Sequence, residues 1–195
     1  GASDFLAAII TEDPGSGRGF FHDDEPLRHL DQAEGEATWP DDVGEIHQTG
    51  IIYGGAFWDL RKAAIAALGA EAGRALTNRL FIATLQRATD IPSSLIEALV
   101  ADDDDGDLGN GTPNECLIRE AFGRHGLRTV DAEVDAVGAV AGVDGETTMP
   151  IAVVIGGLSA ACPGDEIARV TVAWEPRFDA QSPAPGSGEL TAGPF

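Results

Sequence analysis

The 195 residues of this chain are enough for one full domain, or for one domain with a small appendage. A formal net charge of −21 would repel phosphate groups, so nucleic acid and anionic membranes are not expected partners. No run approaches the roughly 20 apolar residues of a membrane span, and no basic, apolar signal segment opens the chain. The charge instead favours a secreted or salt-tolerant protein, or one that binds cations. The alternative is an acidic surface that only maintains solubility.

The first part of the chain has the residue spacing of helices. Residues 3–11 place their apolar side chains on one side, and residues 50–68 and 70–88 repeat apolar side chains at spacings of three and four. Between the first two lies a stretch of about 30 residues without periodicity, a length that is usually functional or disordered. Because the chain opens directly in a helical pattern, we expect a fragment or a processed product.

Two further helices are predicted from their capping patterns. Ser94 begins an S-x-x-E pattern before an apolar run, which is typical of a capping box. Thr112 begins a second such box, with a proline at the first helical position. This last helix is expected to continue to about His125 and to end at Gly126, since glycine commonly follows the end of a helix.

The pattern changes from helices to strands at residue 130. Three segments between residues 130 and 176 alternate, are rich in β-branched residues and are bounded by glycine and proline. The last residues are rich in Pro, Gly and Ser, which is typical of a linker or tail. We therefore predict a mainly α fold, α+β overall, with a helical lobe over 1–129, a small β appendage over 130–178 and a tail over 179–195.

The stretch DDVGEIHQTG places His47 five residues after Asp42 and ahead of a predicted helix. A carboxylate beside an imidazole can fix its tautomer and favour its charged form. Such an imidazole can stabilise an oxyanion. The glycines at positions 50, 54 and 55 would leave the approach to it open. The alternative is a histidine with a purely structural role.

Arg28, in EPLRHLD, is a second candidate site residue. A guanidinium holds a carbonyl or carboxylate through paired N–H donors. Its alternative role is a salt bridge to the nearby Glu25 or Asp31. Neither candidate completes a catalytic centre, because the four histidines include no H-E-x-x-H pattern. The two cysteines allow at most one intramolecular disulfide and are too few for a zinc–thiolate site.

The loop ADDDDGDLGNGTPN, residues 101–114, holds five aspartates within six positions. Like charges this close repel one another unless a cation is bound, and oxygen ligands on a glycine-containing loop suit calcium. The spacing is not that of an EF-hand loop. We predict calcium bound by Asp103, Asp105 and Asp107, with Asp102 and Asp104 as further candidates. The alternative is a solvated acidic loop between two helices.

Taken together, GASDFLAA, PLRHLD and DDVGEIHQTG followed by a long helix resemble the C-terminal half of the gluzincins, the thermolysin-like and fungalysin-like zinc metallopeptidases. In that family two zinc-binding histidines come from H-E-x-x-H, and the third ligand is the glutamate of an E-x-x-x-D pattern. The resemblance covers about residues 1–128. It implies that GASD ends the second pattern, with the zinc-ligand glutamate immediately before Gly1.

The resemblance also implies a role for each site residue. Asp4 would accept a hydrogen bond from a zinc-ligand histidine and fix its orientation. Arg28 would hold a substrate carbonyl, and His47, oriented by Asp42, would donate to the tetrahedral oxyanion beside the zinc.

The implied protein is the C-terminal lobe of a secreted zinc metallopeptidase, inactive as the isolated chain. Hydrolysis of a peptide or protein substrate would need an upstream half of the same or a cleaved polypeptide, which carries H-E-x-x-H. We expect zinc to bind only when both halves are present, and the isolated chain to hold no stoichiometric zinc. The alternative is a non-catalytic, calcium-stabilised structural or assembly module of an extracellular complex or filament.

Overall fold

A computed structural model describes residues 1–32 and 35–128 in full, together with Cys162 and the backbone of six strands between residues 131 and 189. The chain divides into two compact units, Gly1–Thr129 and Val130–Phe195. Among the fully described residues the fold is mainly α-helical. Not one of the described helices combines the length and the apolar character that a membrane span requires.

The described part of the first unit contains five α-helices and a short hairpin. The helices are α1 (Ala2–Thr11), α2 (Ile46–Leu68), α3 (Ala70–Arg87), α4 (Ser93–Asp102) and α5 (Glu115–Arg124), and Leu108–Asn110 form one 3-10 turn. The hairpin pairs β1 (Gly15–Ser16) antiparallel with β2 (Arg28–His29). It lies in the stretch that the sequence predicted to lack regular structure, because strands of two residues show no readable alternation.

Helix α2 begins earlier than its apolar spacing predicted. The Glu45 carboxylate caps the helix by accepting hydrogen bonds from the backbone N–H groups of His47, at 2.9 Å, and Gln48, at 3.2 Å. The preferred cap residues are Ser, Thr, Asp and Asn, so a glutamate in this role gave no recognisable start. His47 therefore lies within the first turn of α2 and not in a loop before it.

The capping box predicted at Ser94 is wrong. The Ser94 side chain is buried inside α4, and its hydroxyl donates to the carbonyl of Ile91 at 2.5 Å. The carboxylate of Asp90 instead accepts from the N–H of Ser93 at 2.8 Å. The start of the helix is thus stabilised by a residue of the preceding turn.

The cap predicted for α5 is wrong at Thr112, but its end is confirmed. The Thr112 hydroxyl donates to Asp102 at 2.9 Å, and the same Asp102 oxygen accepts from the N–H of Asn114 at 2.6 Å. A carboxylate of α4 thus replaces the local cap. The helix ends at Arg124, and Gly126 follows with a positive φ of 69°.

Helix α2 is the centre of the first unit and packs against α1, α3 and α5. Five aromatic rings meet there, with centroids 4.8 to 6.1 Å apart in tilted or edge-on pairs: Phe5, Tyr53, Phe57, Phe81 and Phe122. Such pairs contribute about 0.5–1.5 kcal/mol each beyond their burial. Because Phe5 is fully buried in this cluster, it fixes the first turn of α1, and with it the neighbouring Asp4.

The glycines of α2 allow close packing. A Cβ at Gly50 would lie 2.5 Å from the nitrogen of Gly1, and a Cβ at Gly55 would lie 2.5 Å from Cε1 of His125. The sequence had suggested that these glycines leave the approach to His47 open. The structure gives a different reason, which is that α1 and the His125 ring lie directly against the helix backbone.

In the second unit, the described strands form antiparallel pairs. They are β3 (Asp131–Ala136) with β6 (Ile151–Gly156), β4 (Ala141–Val143) with β5 (Glu146–Thr148), and β7 (Thr171–Trp174) with β8 (Gly186–Glu189). Strand β8 lies in the segment whose composition suggested a tail, because pairing can form a strand where intrinsic propensity is weak. Cys116 and Cys162 are both disulfide-bonded.

Candidate functional site

Asp4 and Arg28, 24 positions apart, form a partly buried ion pair. Nη2 of Arg28 donates to Oδ1 of Asp4 at 2.7 Å, and Nε lies 3.1 and 3.2 Å from the two carboxylate oxygens. The Ser16 hydroxyl also donates to Asp4, at 3.0 Å. The alternative role considered for Arg28, a local salt bridge to Glu25 or Asp31, is not present among the described residues. Its partner comes from α1 because the hairpin carries β2 to that helix.

The ion pair alters the protonation of both partners. Burial alone would raise the pKa of Asp4, but hydrogen bonds from Arg28, the amino group of Gly1 and Ser16 outweigh burial and lower this pKa to about 2. Asp4 in turn raises the pKa of Arg28, and the charge of Glu45 adds to that effect. Since Glu45 caps α2, Arg28 lies within electrostatic reach of the helix end that carries His47.

His47 and Asp42 are both exposed and do not form the predicted pair. The Asp42 carboxylate accepts from the backbone N–H of Thr38 at 2.7 Å and from its hydroxyl at 3.2 Å. Among the described residues no hydrogen bond joins Asp42 to the His47 side chain. The carboxylate instead closes the turn that precedes α2, and the imidazole is open to solvent or to a ligand.

A cavity of about 310 Å³ opens beside the first turn of α1. Gly1 borders it three residues before Asp4, and Gly50 borders it three residues after His47. The remaining lining is mostly apolar and comes from Ala2, Tyr53, Thr84, Leu85, Ala88, Thr89, Asp90 and Ile91. The first turns of α1 and α2, which carry Asp4 and His47, are therefore close to a pocket that an apolar side chain can enter.

The acidic loop between α4 and α5 forms a series of turns closed by its own carboxylates. Asp103 accepts from the N–H of Asp105 at 3.3 Å, Asp105 from that of Asp107 at 2.9 Å, and Asp107 from that of Gly109 at 2.9 Å. One oxygen of each of Asp103, Asp104 and Asp105 lies within 4.8 Å of the others, so these three can hold a metal ion. Asp107 is not in that group.

Asp102, a further calcium candidate in the sequence, is not in this group. Its side chain is fully buried and accepts from the Thr112 hydroxyl, from the backbone and side-chain N–H groups of Asn114, and from Arg79. Its two oxygens are thus occupied by protein donors. Asp102 fastens α4 to the start of α5.

A second polar cluster joins the loop that precedes α2 to α2 and to the end of α5. It was not predicted from the sequence. Glu36, Asp59 of α2 and His125 after α5 place one donor atom each within 4.8 Å of the others. The side chains of His125 and Asp59 are 0% and 2% exposed, and that of Glu36 is 25% exposed. The signal available in the sequence was Asp59 itself, a charged residue inside the apolar run AFWDL.

The pKa values of the two carboxylates in this cluster are shifted in opposite directions. Burial and repulsion from Asp59 raise the pKa of Glu36. Burial alone would also raise the pKa of Asp59, but Lys62 and, when its ring is protonated, His125 lower it to about 2. Displaced pKa values of this kind occur at functional sites and in structural ion-pair networks alike.

Three polar groupings in the described part of the first unit are candidates for a functional site. They are the Asp4–Arg28 pair near the start of α2, the acidic loop, and the cluster of Glu36, Asp59 and His125. No family model, no curated protein and no solved structure matches this chain.

Proposed function

We propose that this chain is the C-terminal helical lobe of a secreted zinc metallopeptidase of the gluzincin type. Peptide hydrolysis requires an upstream half that supplies H-E-x-x-H and the zinc-ligand glutamate, which this sequence does not contain. The observation that carries the proposal is the ion pair between Asp4 and Arg28. Asp4 and Arg28 belong to separate sequence motifs, and they lie in direct contact at the N-terminal end of α1. At this end of the helix the E-x-x-x-D pattern would place the zinc-ligand glutamate.

The pair has unused capacity to bind further groups. Nη1 of Arg28 has no partner among the described residues, and the side chain is 26% exposed. A guanidinium carries five N–H donors, of which Asp4 takes those on Nε and Nη2. The remaining donors can hold a substrate carbonyl, while Asp4 stays ionised and can accept a hydrogen bond from an imidazole of the upstream half.

Zinc bound by the upstream half would polarise the scissile carbonyl and activate a water molecule. Within this chain, Arg28 grips a carbonyl of the substrate and orients it. The exposed imidazole of His47 donates a hydrogen bond to the oxyanion that develops as the carbonyl is attacked. The mostly apolar cavity beside Gly1 and Gly50 receives a substrate side chain, which favours cleavage next to apolar residues.

The proposal is tested on the chain extended upstream through its H-E-x-x-H segment. We expect this longer protein to cleave an unfolded protein substrate such as casein and to lose activity in a zinc chelator. Arg28→Ala should lower kcat/KM strongly, whereas Arg87→Ala, at an exposed arginine of α3, should leave it unchanged. The absence of an upstream H-E-x-x-H segment, or full activity of Arg28→Ala, would refute the assignment.

A calcium-stabilised structural module of an extracellular complex or filament is the second candidate function. The observation in its favour is the close approach of the Asp103, Asp104 and Asp105 carboxylates in an exposed loop. Hard oxygen ligands at this spacing suit Ca²⁺. The two functions separate in one experiment: a module of this kind gains stability from Ca²⁺ but shows no zinc-dependent cleavage in the longer protein.

A further inference from the structure

The imidazole of His125 is held in one tautomer. Its Nδ1 lies 2.9 Å from the carbonyl oxygen of Ala37, and because a carbonyl only accepts, Nδ1 carries the proton. In the neutral ring the lone pair is then on Nε2. That atom is fully buried, has no hydrogen-bond partner, and lies 3.8 Å from both Oε2 of Glu36 and Oδ2 of Asp59. A lone pair facing two carboxylates is repulsive unless a cation lies between them.

A proton on Nε2 would give an ion pair with the two carboxylates but would leave Nε2 without a hydrogen bond, whereas a metal ion would bond Nε2 directly. Hydrogen bonds between nitrogen and oxygen span about 2.7–3.2 Å, so 3.8 Å is too long for a proton on Nε2 to be shared with either carboxylate. Zinc bonds of about 2.0–2.2 Å place neighbouring ligand atoms roughly 3–4 Å apart. The two distances from Nε2 fall in this range, and all three donor atoms lie within 4.8 Å of one another, so they can surround one ion.

The site is rigidly built around the ring. The Nδ1–H to carbonyl hydrogen bond of His125 is the arrangement that orients metal-binding histidines in proteins. The backbone carbonyl of His125 also accepts from the N–H of Trp39 at 2.9 Å, which fastens the loop of Glu36 to the end of α5. On the other side Gly55 lets the ring lie against α2, since a Cβ there would be 2.5 Å from Cε1.

The charge around the site suits a divalent ion. Lys62 contacts Oδ1 of Asp59 at 2.8 Å and leaves Oδ2 facing His125, and Arg124 approaches Oδ2 only to 3.6 Å. Arg124 is 55% exposed and bonds Glu120, so it can move away. With His125 neutral, the connected group carries a net formal charge of −2, from the carboxylates of Asp31, Glu36, Asp59 and Glu120 and the cations Lys62 and Arg124.

We propose that Glu36, Asp59 and His125 form a binding site for one divalent transition-metal ion of the zinc type. One imidazole with two carboxylates is a donor set that borderline ions accept, whereas Ca²⁺ prefers oxygen ligands alone. The ion joins the loop before α2 to α2 itself and to the end of α5. The proposal differs from the sequence-based expectation of no stoichiometric zinc on the isolated chain, which treated its histidines as isolated.

The test uses the full 195-residue chain, stripped with a chelator and then titrated with ZnCl₂ by calorimetry. We expect one Zn²⁺ per chain and a higher melting temperature with Zn²⁺ than without it, since the ion binds only the folded state. Excess Ca²⁺ should not displace the Zn²⁺. Co²⁺ should give a visible absorption band that reports a nitrogen-containing ligand set. None of these measurements depends on peptidase activity.

Two matched variants locate the binding. Glu36→Gln removes one ligand at the exposed edge of the site and should weaken Zn²⁺ binding at least ~10-fold, with an unchanged far-UV circular dichroism spectrum. Glu71→Gln makes the same charge change at an exposed position of α3 and should bind like the parent chain. Asp59→Asn tests the site independently from α2. The absence of saturable Zn²⁺ binding in the parent chain, or equal affinities of Glu36→Gln and Glu71→Gln, would overturn the proposal.

Discussion

Replacing Asp4 with asparagine should remove a defined part of the stability of the first unit. The pKa of Asp4 is lowered from 3.8 to about 2 in the folded chain, and each unit of difference from the unfolded chain corresponds to about 1.36 kcal/mol. The ionised carboxylate therefore contributes about 2 kcal/mol at neutral pH. A lowered folded-state pKa means that this stability is complete above 3.8 and is lost as the pH falls towards 2.

The assay is urea unfolding of the parent chain and Asp4→Asn between neutral pH and pH 2, followed by circular dichroism. Asp59 also has a pKa lowered to about 2, so the parent loses stability from more than one group, and the difference between the two proteins isolates Asp4. That difference should shrink from about 2 kcal/mol towards zero on acidification. Asp41→Asn, an exposed aspartate, is the control with little effect. If the difference in the free energy of unfolding between the two proteins stays constant with pH, the charge of Asp4 does not stabilise the fold.

Three further predictions concern the other polar groupings. Adding Ca²⁺ to the chelator-stripped chain should raise the melting temperature, and replacing Asp103, Asp105 and Asp107 with asparagine should abolish that rise; an unchanged melt would mean a solvated loop. In the longer, active protein His47→Ala should lower kcat about 10²–10³-fold with little change in KM, whereas a merely destabilised enzyme of full rate would defeat the assignment. Gly55→Ala should lower stability, because overpacking of about 1–3 kcal/mol against the His125 ring exceeds the helix-propensity gain of about 1 kcal/mol. A more stable Gly55→Ala protein would contradict that packing.

The sequence by itself determined where most of the helices run. Apolar spacing located α2 and α3, and glycine at position 126 gave the end of α5, because these signals arise from interactions within a few residues. The starts of α4 and α5 were predicted less well. At α4 the capping oxygen comes from Asp90, four residues before the Ser94 that the S-x-x-E pattern indicated, and at α5 it comes from Asp102, which belongs to another helix.

Only the tertiary structure decided which side chains meet. From neighbouring residues alone, Glu25 or Asp31 was expected to pair with Arg28. The structure instead brings Arg28 to Asp4 through a hairpin whose strands, of two residues each, are too short to predict from the sequence. In the same way, nothing within a few residues of His125 indicates that Glu36 and Asp59 face its ring. Hydrophobic burial of α2 draws these distant segments together, and contacts set by packing across the core leave no periodic trace in the sequence.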